Sequence, residues 1–302
     1  EAVDAYARLA EVFPDSSLAD DALYQMGLAY EAKASYEEAY ATYNKLLEKY
    51  PQSEWVGKSQ FRTASLRERD RRYEEAVDAY SKTIAYSRKN KEENGLIPNS
   101  KYRIGHIRYS LNQYQEVIAE FKEFIDLFPN HELTNGARLK MGDSYYYWGD
   151  DYYRNGDYEK ALEILGTFVS LYPAHQAVIM AADRIADSYY RLGESYYKKG
   201  NYEEAVRNFE KIVTSYPDHQ KASAAWEGIG DNYYQLGDYR KAAEGYSSIK
   251  EDKLEPSDLL RVKRKLGLSY YELREYEEAI PPLVSVVAGT PPAIQERRQS
   301  SN

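Results

Sequence analysis

The tetrapeptide YEEA stands at Tyr36, Tyr73, Tyr202 and Tyr276, with looser copies between: YQEV at Tyr114, YEKA at Tyr158 and YRKA at Tyr239. The opening EAVDAY returns at 75–80, so Ala2 joins a series with Ala39, Ala76, Val117, Ala161, Ala205, Ala242 and Ala279. The intervals are 37, 37, 41, 44, 44, 37 and 37 residues. A period of this size constrains the fold more than any other feature. Each unit is too short to bury a core alone and must stack on its neighbours.

Each unit reads as two helices. In YEEAYATYNKLLEKYP, residues Ala39, Tyr43, Leu46 and Leu47 share one helical face. Five units end this helix at a proline, Pro14, Pro51, Pro129, Pro173 or Pro217, which cannot continue a helix. Another helix then carries a small residue nine positions before the next motif tyrosine: Gly27, Ala64, Gly105, Gly149, Gly193, Gly230 and Gly267. Glycine at mid-helix costs about 1 kcal/mol relative to alanine. Its recurrence implies that something packs too close there for a side chain.

These residues resemble the tetratricopeptide repeat family. In WEGIGDNYYQLGDYRKAAEGY, residues Trp226, Ile229, Gly230, Tyr233, Gly237, Tyr239 and Ala242 fall in the family's slots, and the resemblance spans essentially the whole chain. It implies an all-α superhelix, a solenoid of about fifteen antiparallel helices that binds other proteins. The chain is expected to be a single array over 1–302. A lone second helix occupies 1–13, units span about 14–50, 51–88, 89–128, 129–172, 173–216, 217–250 and 251–289, and a flexible tail takes 290–302. Units of 37 residues ending in YP or FP look like bacterial cell-envelope members, namely outer-membrane assembly lipoproteins and Tol–Pal partners. That style points to the periplasm or cell envelope, with a cytoplasmic location as the alternative.

The middle of the array is longer. From the helix-ending proline to the next motif tyrosine is 22 residues for Pro14, Pro51 and Pro217 but 29 for Pro129 and Pro173. The extra seven appear as tandem copies, GDSYYYW then GDDYYRN at 142–155 and ADSYYRL then GESYYKK at 186–199. Seven residues are nearly two turns and rotate a helix face by only about 20°. Two first helices should therefore be extended by seven residues and project past their partners, with Trp148, Tyr152, Tyr153, Tyr196 and Tyr197 on the projecting ends. In contrast, KNKEENGLIPNS (89–100) reads as a plain loop insertion, and Pro281-Pro282 should disrupt the last helix near its start.

Two sets of residues fall where the family faces its concave groove. One is the second tyrosine of each pair, Tyr146, Tyr190, Tyr234 and Tyr271. The other follows a small residue: Asp143, Asp187, Glu194 and Asp231, with Asp150 as a duplicate. Family members that clamp a C-terminal carboxylate carry asparagine there, so acids do not carry that clamp over. An acidic, phenolic groove suits a neutral or basic protein segment, or a glycan; a merely solvated helix face is the plain alternative. His131, His175 and His219 stand two residues after a proline, where Ser16 and Ser53 stand in other units. Equivalent positions on stacked helices cannot converge on one metal, so these histidines read as helix-start caps.

The composition narrows the function. There is no cysteine, which excludes disulfides and thiolate chemistry and fits an oxidising compartment. A net charge of −9 argues against nucleic acid. No apolar run approaches a transmembrane segment, and no catalytic, metal or cofactor motif is present. The expectation is a non-enzymatic interaction scaffold without cofactors. Alternatives are a structural subunit that self-assembles or docks through uncapped ends, and a glycan-binding module.

Overall fold

A computed structural model describes residues 2–16, 18–91 and 95–289, which form fifteen α-helices and a short 3-10 turn, with no strand among them. The second helices are α1 (Ala2–Val12), α3 (Tyr36–Lys49), α5 (Tyr73–Asn90), α7 (Tyr114–Leu127), α9 (Tyr158–Leu171), α11 (Tyr202–Ser215), α13 (Tyr239–Ser247) and α15 (Tyr276–Gly289). The first helices are α2 (Ala19–Ala32), α4 (Val56–Arg69), α6 (Leu96–Ser110), α8 (Thr134–Arg154), α10 (Val178–Lys198), α12 (Ala222–Gln235) and α14 (Pro256–Glu272). The chain divides into two compact units, Glu1–Tyr145 and Tyr146–Asn302. The tail at 290–302 lies outside the described residues.

One turn joins every first helix to its second helix. The N–H before the motif tyrosine bonds back five residues, from Ser35 to Tyr30, Arg72 to Arg67 and Gln113 to Arg108 in the first unit. Asp157, Asn201, Asp238 and Glu275 do the same in the second unit, and all seven bonds measure 2.9–3.0 Å. This is the helix-ending arrangement that needs a left-handed residue one place earlier. Gly156, Gly200 and Gly237 supply it, but Ala34, Arg71, Asn112 and Arg274 adopt it too, at φ 56–62°. Seven of the second helices then begin at the motif tyrosine. Acids in most of their first turns suit the helix dipole, and Asp157 and Asp238 cap Lys160 and Lys241 N–H groups at 3.2 Å.

At five of the seven entries to first helices the expected residue accepts an N–H in the turn just before the helix. His131, His175 and His219 each accept the N–H two positions on at Nδ1, at 3.1–3.2 Å. The Ser16 and Ser53 hydroxyls accept equivalent bonds at 3.3 and 3.1 Å.

The recurring small residue has a specific cause. A Cβ on Gly27 would lie 2.4 Å from the Tyr43 ring, and one on Gly105 2.6 Å from Phe121. In the second unit Gly149, Gly193, Gly230 and Gly267 meet Leu165, Phe209, Tyr246 and Leu283 at 2.5–2.7 Å. Each partner lies sixteen positions on, in the second helix of the same hairpin. A large side chain thus lies flat over bare backbone, and that contact sets the hairpin's depth.

The two extended first helices, α8 and α10, have 21 residues against 14 in α2, α4 and α12. The extra heptads are helical. Two other expectations are corrected. The 89–100 stretch is mostly helix, since α5 runs to Asn90 and α6 starts at Leu96. Pro98 sits in the first turn of α6, where no N–H partner is needed. Nor do Pro281 and Pro282 break α15. They forgo bonds only to the carbonyls of Glu277 and Glu278 in the first turn, while Leu283 seats over Gly267.

Candidate functional site on the first-helix face

Of the acids expected in the groove, Asp143, Asp150, Asp187 and Asp231 are engaged within the chain. In the first unit, Asp143 accepts the Tyr109 hydroxyl at 3.3 Å. In the second, Asp150 is 2% exposed and receives Arg184 Nε at 2.9 Å and Arg154 at 2.7 Å. Asp187 accepts Tyr153 Oη at 2.8 Å and Arg191 Nε at 3.3 Å. Asp231 accepts Lys265 Nζ at 2.7 and 2.8 Å and Tyr246 Oη at 2.7 Å. Glu227 takes Arg261 at 2.8 and 2.9 Å and Lys265 at 2.7 Å.

Five of these links, Tyr109–Asp143, Tyr153–Asp187, Arg184–Asp150, Arg261–Glu227 and Lys265–Asp231, span 34 residues each. They join one first helix to the next at matching height. The acid row is therefore a ladder between repeats, neither a solvated face nor a bare acidic surface. Burial opposes ionisation of Glu227, yet the Arg261 and Lys265 bonds hold its carboxyl below the usual range.

The tyrosines separate into distinct environments. Tyr146, expected to face the groove, is only 7% exposed; its ring lies 5.4 Å from Tyr147 and 5.9 Å from Phe168. It is a core residue. Tyr234 and Tyr271 lie at hairpin turns, with rings 5.1 and 5.7 Å from Tyr239 and Tyr276. Tyr153 and Tyr197, expected on projecting ends, occupy the same place, 5.9 and 5.7 Å from Tyr158 and Tyr202. Trp148 and Tyr152 pack on each other at 6.2 Å, and Tyr196 lies against the core around Phe209.

These five residues do not form free projecting ends. Gly149 and Gly193 keep the ordinary register with their own second helices, so the added length extends the opposite way. Within the second unit, α10 packs against both α9 and α11.

A cavity of about 420 Å³ opens in the second unit between α10, α12 and α14. It brings together three of the expected groove residues, Tyr190, Glu194 and Asp231, with Tyr197 beside them. Asp143, Tyr146, Asp187, Tyr234 and Tyr271 do not line it. Its floor is Phe209, held between Gly193 and Gly228, each of which would place a Cβ 2.7 Å from the ring. Burial, and then the adjacent Glu194 carboxylate, push the Tyr190 phenol up to about 12.

Sequence reading missed Glu227, Gly228, Asn232 and Arg261, which also line the cavity. The 34-residue spacing of Glu227 and Arg261 was the available signal. No described group of His, Asp and Glu side chains is placed to hold a metal, and no described helix is long and apolar enough to cross a membrane.

Family profiles described as tetratricopeptide repeat match residues 21–53, 98–131, 137–175 and 184–246, together more than half of the chain. The chain belongs to the tetratricopeptide repeat family. Repeats of this family are, in general, modules for protein–protein interaction. No curated protein matches the chain.

Among solved structures, it is similar to YrrB, a TPR protein with an unusual peptide-binding site. Identity is 20% over 72% of this chain and 95% of that one, with a TM-score of 0.36. A tetratricopeptide repeat protein of Parabacteroides merdae shares 14% identity over 92% and 96%, TM-score 0.36. The TPR2AB domain of yeast Sti1, in complex with pHSP90, shares 14% over 91% and 99%, TM-score 0.39.

Proposed function

We propose that this tetratricopeptide chain is a non-catalytic scaffold that holds a neutral or basic protein segment on the first-helix face of its second unit. One observation carries the reading: the cavity on that face, where Tyr190, Glu194 and Tyr197 meet. Phenol rings supply contact area while their hydroxyls tolerate water. Tyr197 is 38% exposed and thus open to a partner. The setting we propose is the bacterial cell envelope, on the strength of the YP- and FP-ended units and the absence of cysteine.

A peptide-display library panned against the chain tests this. Binders should converge on one segment type and be lost with Tyr197→Ala and Glu194→Arg, both at partly exposed positions, while far-UV circular dichroism stays unchanged. A library that yields no binder, or binders indifferent to both substitutions, rules the reading out.

A second reading, docking through an end of the array, has its own support. Tyr276, Ile280 and Val284 follow one face of α15 and are 54–58% exposed. Ile280 corresponds to Val206 of α11, which is buried at 4%. Sedimentation of wild type and Ile280→Glu would reveal association through this face. A glycan module is less well supported, because Asp187 and Asp231 already have partners in the chain.

A further inference from the structure

The ladder between first helices has one missing rung. Asp150, Glu194 and Asp231 are equivalent residues, each directly after the glycine that seats a second-helix side chain. Thirty-four residues on, Asp150 finds Arg184 and Asp231 finds Lys265. The residue standing thirty-four places after Glu194 is Gly228, which has no side chain. Among the described residues no Lys or Arg stands within 4.0 Å of the Glu194 carboxylate. Lys198 lines the rim of the cavity but falls outside that distance. The cavity described above occupies the place of the absent cation.

A second, independent feature lies in the same wall. Asn232 is fully buried and lines the cavity. Its Nδ2 donates to the Gly228 carbonyl at 2.6 Å, but its Oδ1 has no hydrogen-bond partner. A buried acceptor left unpaired forfeits its solvation without compensation, so its presence in a cavity wall invites a donor from outside. The aromatic side already attracts cations. The Lys221 ammonium sits 4.6 Å from the Tyr190 ring centroid, in the geometry of a cation–π contact.

We infer that the cavity is a subsite for one basic side chain, a lysine ammonium or arginine guanidinium of the bound segment. That side chain completes the ladder at Glu194 and donates to Asn232. Glu227 and Asp231 do not compete for it, because Arg261 and Lys265 already occupy them. The subsite rests on the proposed reading of this face as the binding surface and gives that reading its selectivity.

The test uses the full chain and a small probe, followed by backbone-amide NMR. N-acetyl-arginine N-methylamide should produce saturable shifts at Glu194, Gly228 and Asn232, and the norleucine analogue should not. Glu194→Gln should weaken the arginine probe about tenfold or more, since a hydrogen bond to a charged group is being lost.

Asn232→Leu should also weaken the probe, while far-UV circular dichroism shows the helices intact. That substitution removes the unpaired Oδ1 together with the Nδ2 bond to the Gly228 carbonyl. Equal shifts from the norleucine probe, undiminished binding by Glu194→Gln, or no shift with arginine would each overturn the subsite. If the subsite fails while displayed segments still bind through Tyr197, the scaffold reading stands alone. If those segments fail as well, both fall.

Discussion

Gly27 and Gly166 are both helical glycines, and they should respond to alanine in opposite ways. A Cβ at Gly27 would meet the fully buried Tyr43 ring at 2.4 Å, whereas nothing lies within 4 Å of one at Gly166. Gly27→Ala should therefore destabilise by about 1–3 kcal/mol through overpacking. Gly166→Ala should stabilise by about 0.5–1 kcal/mol through helix propensity. Urea unfolding of the two variants checks both signs, and a shared sign would refute the ring-over-glycine account. The glycine series was legible in the sequence, but its cause was only half legible. Spacing showed that something came close, while the atoms that approach belong to a side chain sixteen residues on. Tyr146 was not legible at all. The duplication writes the same Tyr-Tyr pair twice, and only packing against Phe168 shows which copy is core.

At the level of the helix and its turn, four hairpins hold a non-glycine residue in the left-handed region. A side chain there crowds the following carbonyl and costs roughly 1–2 kcal/mol. Ala34 at φ 58° and Arg274 at φ 62° are the clearest cases. Ala34→Gly and Arg274→Gly should each stabilise by about 1 kcal/mol, offset slightly by chain entropy, and Gly200→Ala should destabilise by a similar amount. Thermal unfolding of the three variants decides this; a destabilised Ala34→Gly would count against the turn geometry. The sequence showed where these turns fall, because the motif tyrosine marks the helix that follows. It did not show that α5 runs to Asn90 and α6 starts at Leu96, leaving most of the 89–100 stretch helical. Lysine and asparagine are as compatible with a last helical turn as with a loop.

Across the whole molecule, the 33 tyrosines should not titrate alike. Burial, and then a bond to Asp187, push the Tyr153 phenol up to about 12 from 10.0; burial and Glu194 do the same for Tyr190. A phenol whose folded pKa is raised contributes stability that is complete below pH 10 and lost as pH rises toward 12. The chain should therefore lose stability across that window, with the late-ionising phenols appearing only as helicity falls. Phenolate absorbance recorded beside circular dichroism tests it, and a single transition near the ordinary tyrosine value with helices intact would contradict it. The fold was legible at this scale because the period repeats seven times. The binding face was legible only in part. The 34-residue spacing offers a cation to Glu227, but the residue types alone do not tell which carboxylates of the face are claimed in this way.

The seven added residues in α10 have a wider consequence. A step of that length returns a helix to almost the same compass bearing, so Gly193 still faces Phe209. Removing residues 186–192 should leave a cooperative fold, with Glu194 arriving where Asp187 now stands. Removing only five residues would swing that glycine to the far side and scatter the hairpin. Chains of this kind can therefore grow or shrink along a helix only in set increments, like marks on a ruler. A natural variant whose lengths fell between the marks would have to be built by some other rule.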